Sequence, residues 1–172
     1  MTLSIRQGLP HDRVFAFARA NAPFDPAAPK HLPKANFLML MRDEDLAKLH
    51  TNYDPATRTL TIKQDGVTVI DGKFDDAGDR QRLENFFQEF LLLADRPRFV
   101  EAQGHMFSDR AEKVVSIMNL NSVADIGARI GADVDPVRFR ANLLIDGLPS
   151  WEEFSWPGKH LKIGGATLEV ID

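Results

Sequence analysis

Apolar and polar positions follow one another in short blocks bounded by turn residues, and one longer block repeats at helical spacing. Val14-Phe-Ala-Phe-Ala18 is apolar throughout, with Ala between the larger side chains, and reads as a strand buried on both faces. Thr59-Leu-Thr-Ile-Lys63 and Val67-Thr-Val-Ile-Asp71 flank Gln64-Asp65-Gly66, and Asp-Gly between β-rich runs predicts a hairpin. His160-Leu-Lys-Ile163 and Ala166-Thr-Leu-Glu-Val-Ile171 flank Gly164-Gly165 in the same way. The longest helix is predicted from about Asp79 to Leu93. There Leu83, Phe86, Phe87, Phe90, Leu91 and Ala94 share one face, with Arg80, Arg82, Glu84, Gln88 and Glu89 on the other. An aromatic stripe of that kind is core.

Asp43-Glu-Asp-Leu-Ala-Lys-Leu-His50 follows the apolar run Phe37–Met41 and reads as a short helix, acids first and Lys and His last, as the helix dipole prefers. Short strands are expected around Phe99 and over Val114-Val-Ser-Ile117. Ser122-Val-Ala-Asp125 has capping-box spacing and opens a helix through Ile130, which Gly131 ends. Between Asn21 and Asn36, Pro23, Pro26, Pro29 and Pro33 make a long ordered loop, of a kind that either lines a site or moves. The Pro-rich loop is one candidate domain boundary, and the polar stretch near residues 101–110, which includes Gln103–Asp109, is the better one.

The chain has 172 residues, a length that buries a core without staples, and no cysteine, so its residues supply no disulfide, thiolate metal site or thiol nucleophile. A net charge of −4 without a block of either sign speaks against nucleic-acid binding. Met1–Arg6 lacks the apolar core of a secretion signal, and no apolar run reaches the roughly 18 residues of a membrane span. The expected location is the cytoplasm, with no membrane partner. His11, His31, His50, His105 and His160 have no metal-ligand spacing, and neither a phosphate loop nor a dinucleotide fingerprint occurs.

What remains is cationic. Arg138-Phe-Arg140-Ala-Asn142 runs into Leu143-Leu-Ile145, and strand alternation would place Arg138, Arg140 and Asn142 on one face. Two guanidiniums and an amide side by side suit a phosphate or another oxyanion, while the same arginines also suit surface bridges to Asp133, Asp135 or Asp146. Asp12-Arg13 follows the turn Gly8-Leu-Pro10; an ion pair fixing that turn and a cation meeting an anionic ligand are both open to Arg13. Ser116, Asn119, Asn121 and Ser122 surround a predicted helix start, where free N–H groups bind an anion or serve only as caps.

Asp135-Pro-Val-Arg-Phe-Arg-Ala-Asn-Leu-Leu-Ile-Asp-Gly147, followed by Trp151, Trp156 and Leu161-Lys-Ile-Gly-Gly-Ala-Thr-Leu-Glu-Val170, resembles the MOSC domain, the molybdenum cofactor sulfurase C-terminal family. Gly8–Arg13 and Val114–Val123 match in order as well. The resemblance implies an α+β, mainly β fold: a MOSC-like β-barrel with packed helices. Residues 1–100 would be the N-terminal β-barrel-like region without its first strand, and 101–172 a partial MOSC domain without its Cys-bearing C-terminal segment.

Members of this pyridoxal phosphate-related family bind the molybdenum cofactor (molybdopterin) or carry sulfur, and some reduce N-hydroxylated compounds at molybdenum. By that resemblance Arg13, Arg140 and Asn142 hold the pterin and its phosphate, with Ser116 and Ser122 near the pocket and Arg138 beside them. The family's cysteine has no counterpart before Asp172, so a form silent in thiol-dependent chemistry is expected, as is a chain cut at both ends. The alternative is a noncatalytic anion- or partner-binding module. The expected partners are a small-molecule or pterin ligand and, through exposed sheet edges, a second copy.

Overall fold

The computed structural model describes residue 9 and residues 11–172, so the turn expected at Gly8-Leu-Pro10 lies outside the described residues. The fold is mixed and mostly β: two helices, with strands arranged among the described residues as one three-stranded and three two-stranded sheets. The expected barrel closure is not found among these residues. None of their helices is long and apolar enough to cross a membrane. The chain divides into two compact units, with residues 11–113 in one and residues 114–172 in the other.

In the first unit β1 (Phe15–Ala18) pairs antiparallel with β5 (Arg98–Glu101). Its alternation serves two clusters at once. Phe15 and Phe17 pack with Leu60, Ile62, Phe74, Leu83 and Phe87, whereas Ala16 and Ala18 pack with Ala22, Phe24, Phe37 and Val100. The expectation of a strand buried on both faces holds for this reason. Beside it lies a meander of β2 (Leu49–Asp54), β3 (Thr59–Gln64) and β4 (Val67–Lys73). The Asp65-Gly66 turn has both residues at positive φ (50° and 80°), the primed-turn geometry that matches strand twist. A bulge at Ile62/Lys63 shifts the β3–β4 register.

Helix α1 (Ala77–Phe90) starts where Asp76 accepts the Asp79 N–H at 2.8 Å and buries Leu83 and Phe87. It ends earlier than the apolar pattern suggested, because Leu92 takes φ 50° and turns the chain out of the helix. Gly72 in β4 admits it closely; a Cβ there would stand 3.0 Å from Leu83 Cδ1.

One expectation in this unit is corrected. Glu44–Lys48 is a 3₁₀ turn, and His50 belongs to β2, a polar strand recruited by pairing Leu49 through Asp54 against β3. The four-proline stretch does form an extended loop, with Phe24 and Ala22 inserted into the second cluster.

In the second unit β6 (Ile117–Asn119) pairs in parallel with β7 (Leu143–Ile145), and β8 (His160–Ile163) with β9 (Ala166–Glu169) makes the expected Gly-Gly hairpin. β6 starts three residues later than Val114. Helix α2 (Leu120–Ile130) also starts earlier than expected. Its cap is Asn119, whose side chain accepts the Asn121 N–H at 3.1 Å; Ser122 lies inside the first turn and is buried. Gly131 ends it at φ 69°, as expected.

Candidate functional site

The arginine segment does not continue a strand. Asp135 accepts the Val137 N–H at 2.9 Å, Pro136 fixes the next φ, and the chain winds a 3₁₀ turn over Pro136–Phe139 that Arg140 closes in the left-handed region (φ 53°, ψ 31°). This corrects the alternation argument: Arg138 sits in the turn, Arg140 at its end, and only Asn142 lies at the entry to β7. Arg138 and Arg140 are both exposed, and neither makes an ion pair or side-chain hydrogen bond among the described residues. Among those residues, then, the expected bridges to Asp133, Asp135 or Asp146 are not formed.

Asn142 and Ser116 are joined to each other. The Asn142 side-chain oxygen accepts the Ser116 N–H and hydroxyl, both at 3.0 Å. The Asn142 and Leu143 N–H groups in turn reach the Ser116 carbonyl at 3.1 and 3.0 Å. The pair fastens the start of the β6–β7 ladder, which gives both residues a structural use.

Ser122 and its neighbours form a second polar node. The Ser122 hydroxyl accepts the Trp151 N–H at 2.8 Å. The Asn119 amide, wholly buried, donates to Glu153 Oε2 at 3.0 Å and to the Pro149 carbonyl at 2.8 Å. Asn121 donates to the Leu148 carbonyl at 2.8 Å, and the Trp151 indole N–H to Asp125 at 2.6 Å. Burial alone would raise the Glu153 pKa, but hydrogen bonds from Ser122 and Asn119 outweigh it and hold the carboxyl below its ordinary value. Asp125 is likewise lowered, by hydrogen bonds from Arg129 and Trp151. The start of α2 is thus occupied by the protein's own side chains, with Glu153 supplying the negative charge that an incoming anion would have brought. None of these partners was legible beforehand except by the run of Trp151 and two glutamates after a Pro-Ser turn.

Arg13 belongs to the first unit, apart from the other five candidates. It bonds Asp12 at 2.8 Å, takes φ 52°, and its carbonyl accepts the Phe107 N–H at 2.8 Å. The ion pair expected for Asp12 is therefore formed. Among the described residues no three His, Asp or Glu side chains gather where one metal ion would be held.

The second unit is accordingly a small mixed α/β fold, and its arginine turn carries two exposed guanidiniums without an ion pair among the described residues. Sequence comparison adds one finding: residues 102–172 match the model of the MOSC domain. No curated protein matches the chain.

Proposed function

We propose that this protein is a MOSC-domain binder of the molybdenum cofactor, holding the phosphate end of the pterin through Arg138 and Arg140. The observation that carries the reading is the pair of exposed guanidiniums, unengaged among the described residues, within the segment that matches the family. The donor set fits a phosphate, since planar guanidiniums bind oxyanions bidentately. It does not fit thiol chemistry, because none of the 172 residues is a cysteine. Ser116, Ser122 and Asn142 serve the reading by holding the strands and helix behind the turn, and Arg13 enters it as a separate cation. A barrel-centred architecture in the cytoplasm belongs to the same reading. When bound, the cofactor supplies redox chemistry at molybdenum; these residues bind and orient, and we infer no sulfur transfer from them.

The test is purification of the full chain from cells that make the cofactor, with the pterin assayed by oxidation to its fluorescent form. The expected result is pterin in the wild type and a loss of at least about tenfold in Arg138→Ala/Arg140→Ala, as removal of two charge-assisted contacts implies. Pterin absent from the wild type, or retained equally in the variant, overturns the reading.

A second reading, a noncatalytic anion- or partner-binding module, is favoured by Val137 and Phe139, 72% and 41% exposed and interleaved with the two arginines. Arginine set among exposed apolar groups is the composition of protein interfaces.

A further inference from the structure

His105 stands in an unusual setting. Its ring lies 5.2 Å from Phe24 and 4.8 Å from Phe107, and those two phenyl rings are 5.0 Å from each other, so three rings close a triangle. Phe24 comes from the four-proline loop, while His105 and Phe107 come from the polar stretch after β5. Phe24 and Phe107 also meet Phe37, at 6.1 and 5.3 Å. The imidazole makes no hydrogen bond among the described residues, so ring packing is what holds it.

The stretch is fastened elsewhere too: Met106 is buried, and the Ser108 hydroxyl donates to the Arg110 carbonyl at 2.6 Å. The His105 N–H donates to the Ala102 carbonyl at 3.0 Å and the Phe107 N–H to the Arg13 carbonyl at 2.8 Å. An exposed Lys34–Asp109 pair at 3.3 Å adds little.

The charges around the triangle are mostly positive. Lys30, His31 and Lys34 come from the loop, and Arg110 and Lys113 follow the stretch in sequence. The carboxylates of these segments are engaged: Asp109 with Lys34, Glu112 with Arg110 at 3.7 Å, Asp25 with the Ala27 N–H at 2.9 Å, Glu101 with Arg58 at 2.8 Å and Asp12 with Arg13 at 2.8 Å. Burial first, then the charges of His31 and Lys113, press the His105 pKa below the ordinary histidine value.

We propose that His105 is a pH-sensitive clasp. Neutral, its ring adds to the Phe24–Phe107 contact that joins the four-proline loop to the Gln103–Asp109 stretch; protonated, it leaves the triangle and loosens the stretch around His105 and Phe107, while Phe24, Phe37 and Phe107 keep their own contacts. The closed form binds fewer protons than the open one. Closure is therefore favoured above the ordinary histidine pKa, about 6.5, and is lost as pH falls below it.

The test is NMR titration of the histidine ring protons in the full chain, with hydrogen exchange at pH 7.5 and 5.5 corrected for intrinsic rates. The expected midpoint of His105 lies below the ordinary value. The His105 and Phe107 amides should exchange at least about fivefold faster at the lower pH, as local opening implies. His105→Phe keeps a ring and should abolish that difference, and Lys113→Ala should move the midpoint toward the ordinary value and shrink it. A midpoint at or above the ordinary value overturns the proposal, as does an unchanged pH response in His105→Phe. Should that variant not fold, the wild-type titration and Lys113→Ala decide the matter alone.

Discussion

Residues 11–113 and 114–172 are held together by different means. The first unit buries Phe17, Phe74, Leu83, Phe87 and Val100 among a continuous set of aromatic contacts, with Phe74 at 4.4 Å from Phe99 and 4.6 Å from Phe15. In the second, the buried apolar side chains are Val123 and Trp156, and beside them Asn119 and Ser122 are buried as polar groups. One unit rests on area removed from water, which is tolerant of direction. The other rests on a few hydrogen bonds, each of which needs its partner in place.

The largest effect should come from the aromatic core. Phe74→Ala should lose about 3–5 kcal/mol in urea denaturation followed by far-ultraviolet dichroism. Next is Asn119→Ala, which strands Glu153 and the Pro149 carbonyl and should lose about 2 kcal/mol. Both tryptophans lie in residues 114–172, so their fluorescence reports that unit. If Phe74→Ala shifts the fluorescence transition as far as the dichroism transition, the units unfold together and the contrast between them fails.

Acid should act selectively as well. The Glu153 carboxyl is held below its ordinary value in the fold, so its contribution is present above that value and lost as pH falls through the lowered one. Tryptophan fluorescence between pH 6 and 3 should show an acid transition that Glu153→Gln flattens. The smallest effect is expected at Arg140→Gly. Glycine adopts φ 53° without the side-chain penalty, so stability should stay unchanged or rise by a few tenths of a kcal/mol. The same variant should lose pterin binding, which separates the guanidinium from the turn it closes.

The legible parts of the sequence were those whose cause is local. Asp65-Gly66 and Gly164-Gly165 specify their turns by backbone freedom, Leu83 and Phe87 lie on one helical face, and Gly131 stops α2. β2 was not legible because His50-Thr-Asn-Tyr53 has no apolar alternation; its partner β3 makes it a strand. The start of α2 was misplaced since Ser122 has the chemistry of a cap, yet its hydroxyl is engaged with Trp151, a residue far along the chain. The arginine turn misled for the opposite reason. Asp135-Pro136 is a local winding signal, and it overrode the alternation on which a shared face of Arg138, Arg140 and Asn142 depended.

The pairing of β1 with β5 joins Phe15 to Glu101, nearly the two ends of the first unit. Closing so long a loop is slow, because its entropy is lost before the contacts that reward it are made. On a ribosome adding about 5–20 residues per second, β1 waits roughly 4–17 s for its partner to be made. During that interval Phe15 and Phe17 have no native neighbour on the strand that later covers them. The first unit is therefore finished last at its beginning, and a chaperone that holds short aromatic segments would find its target there.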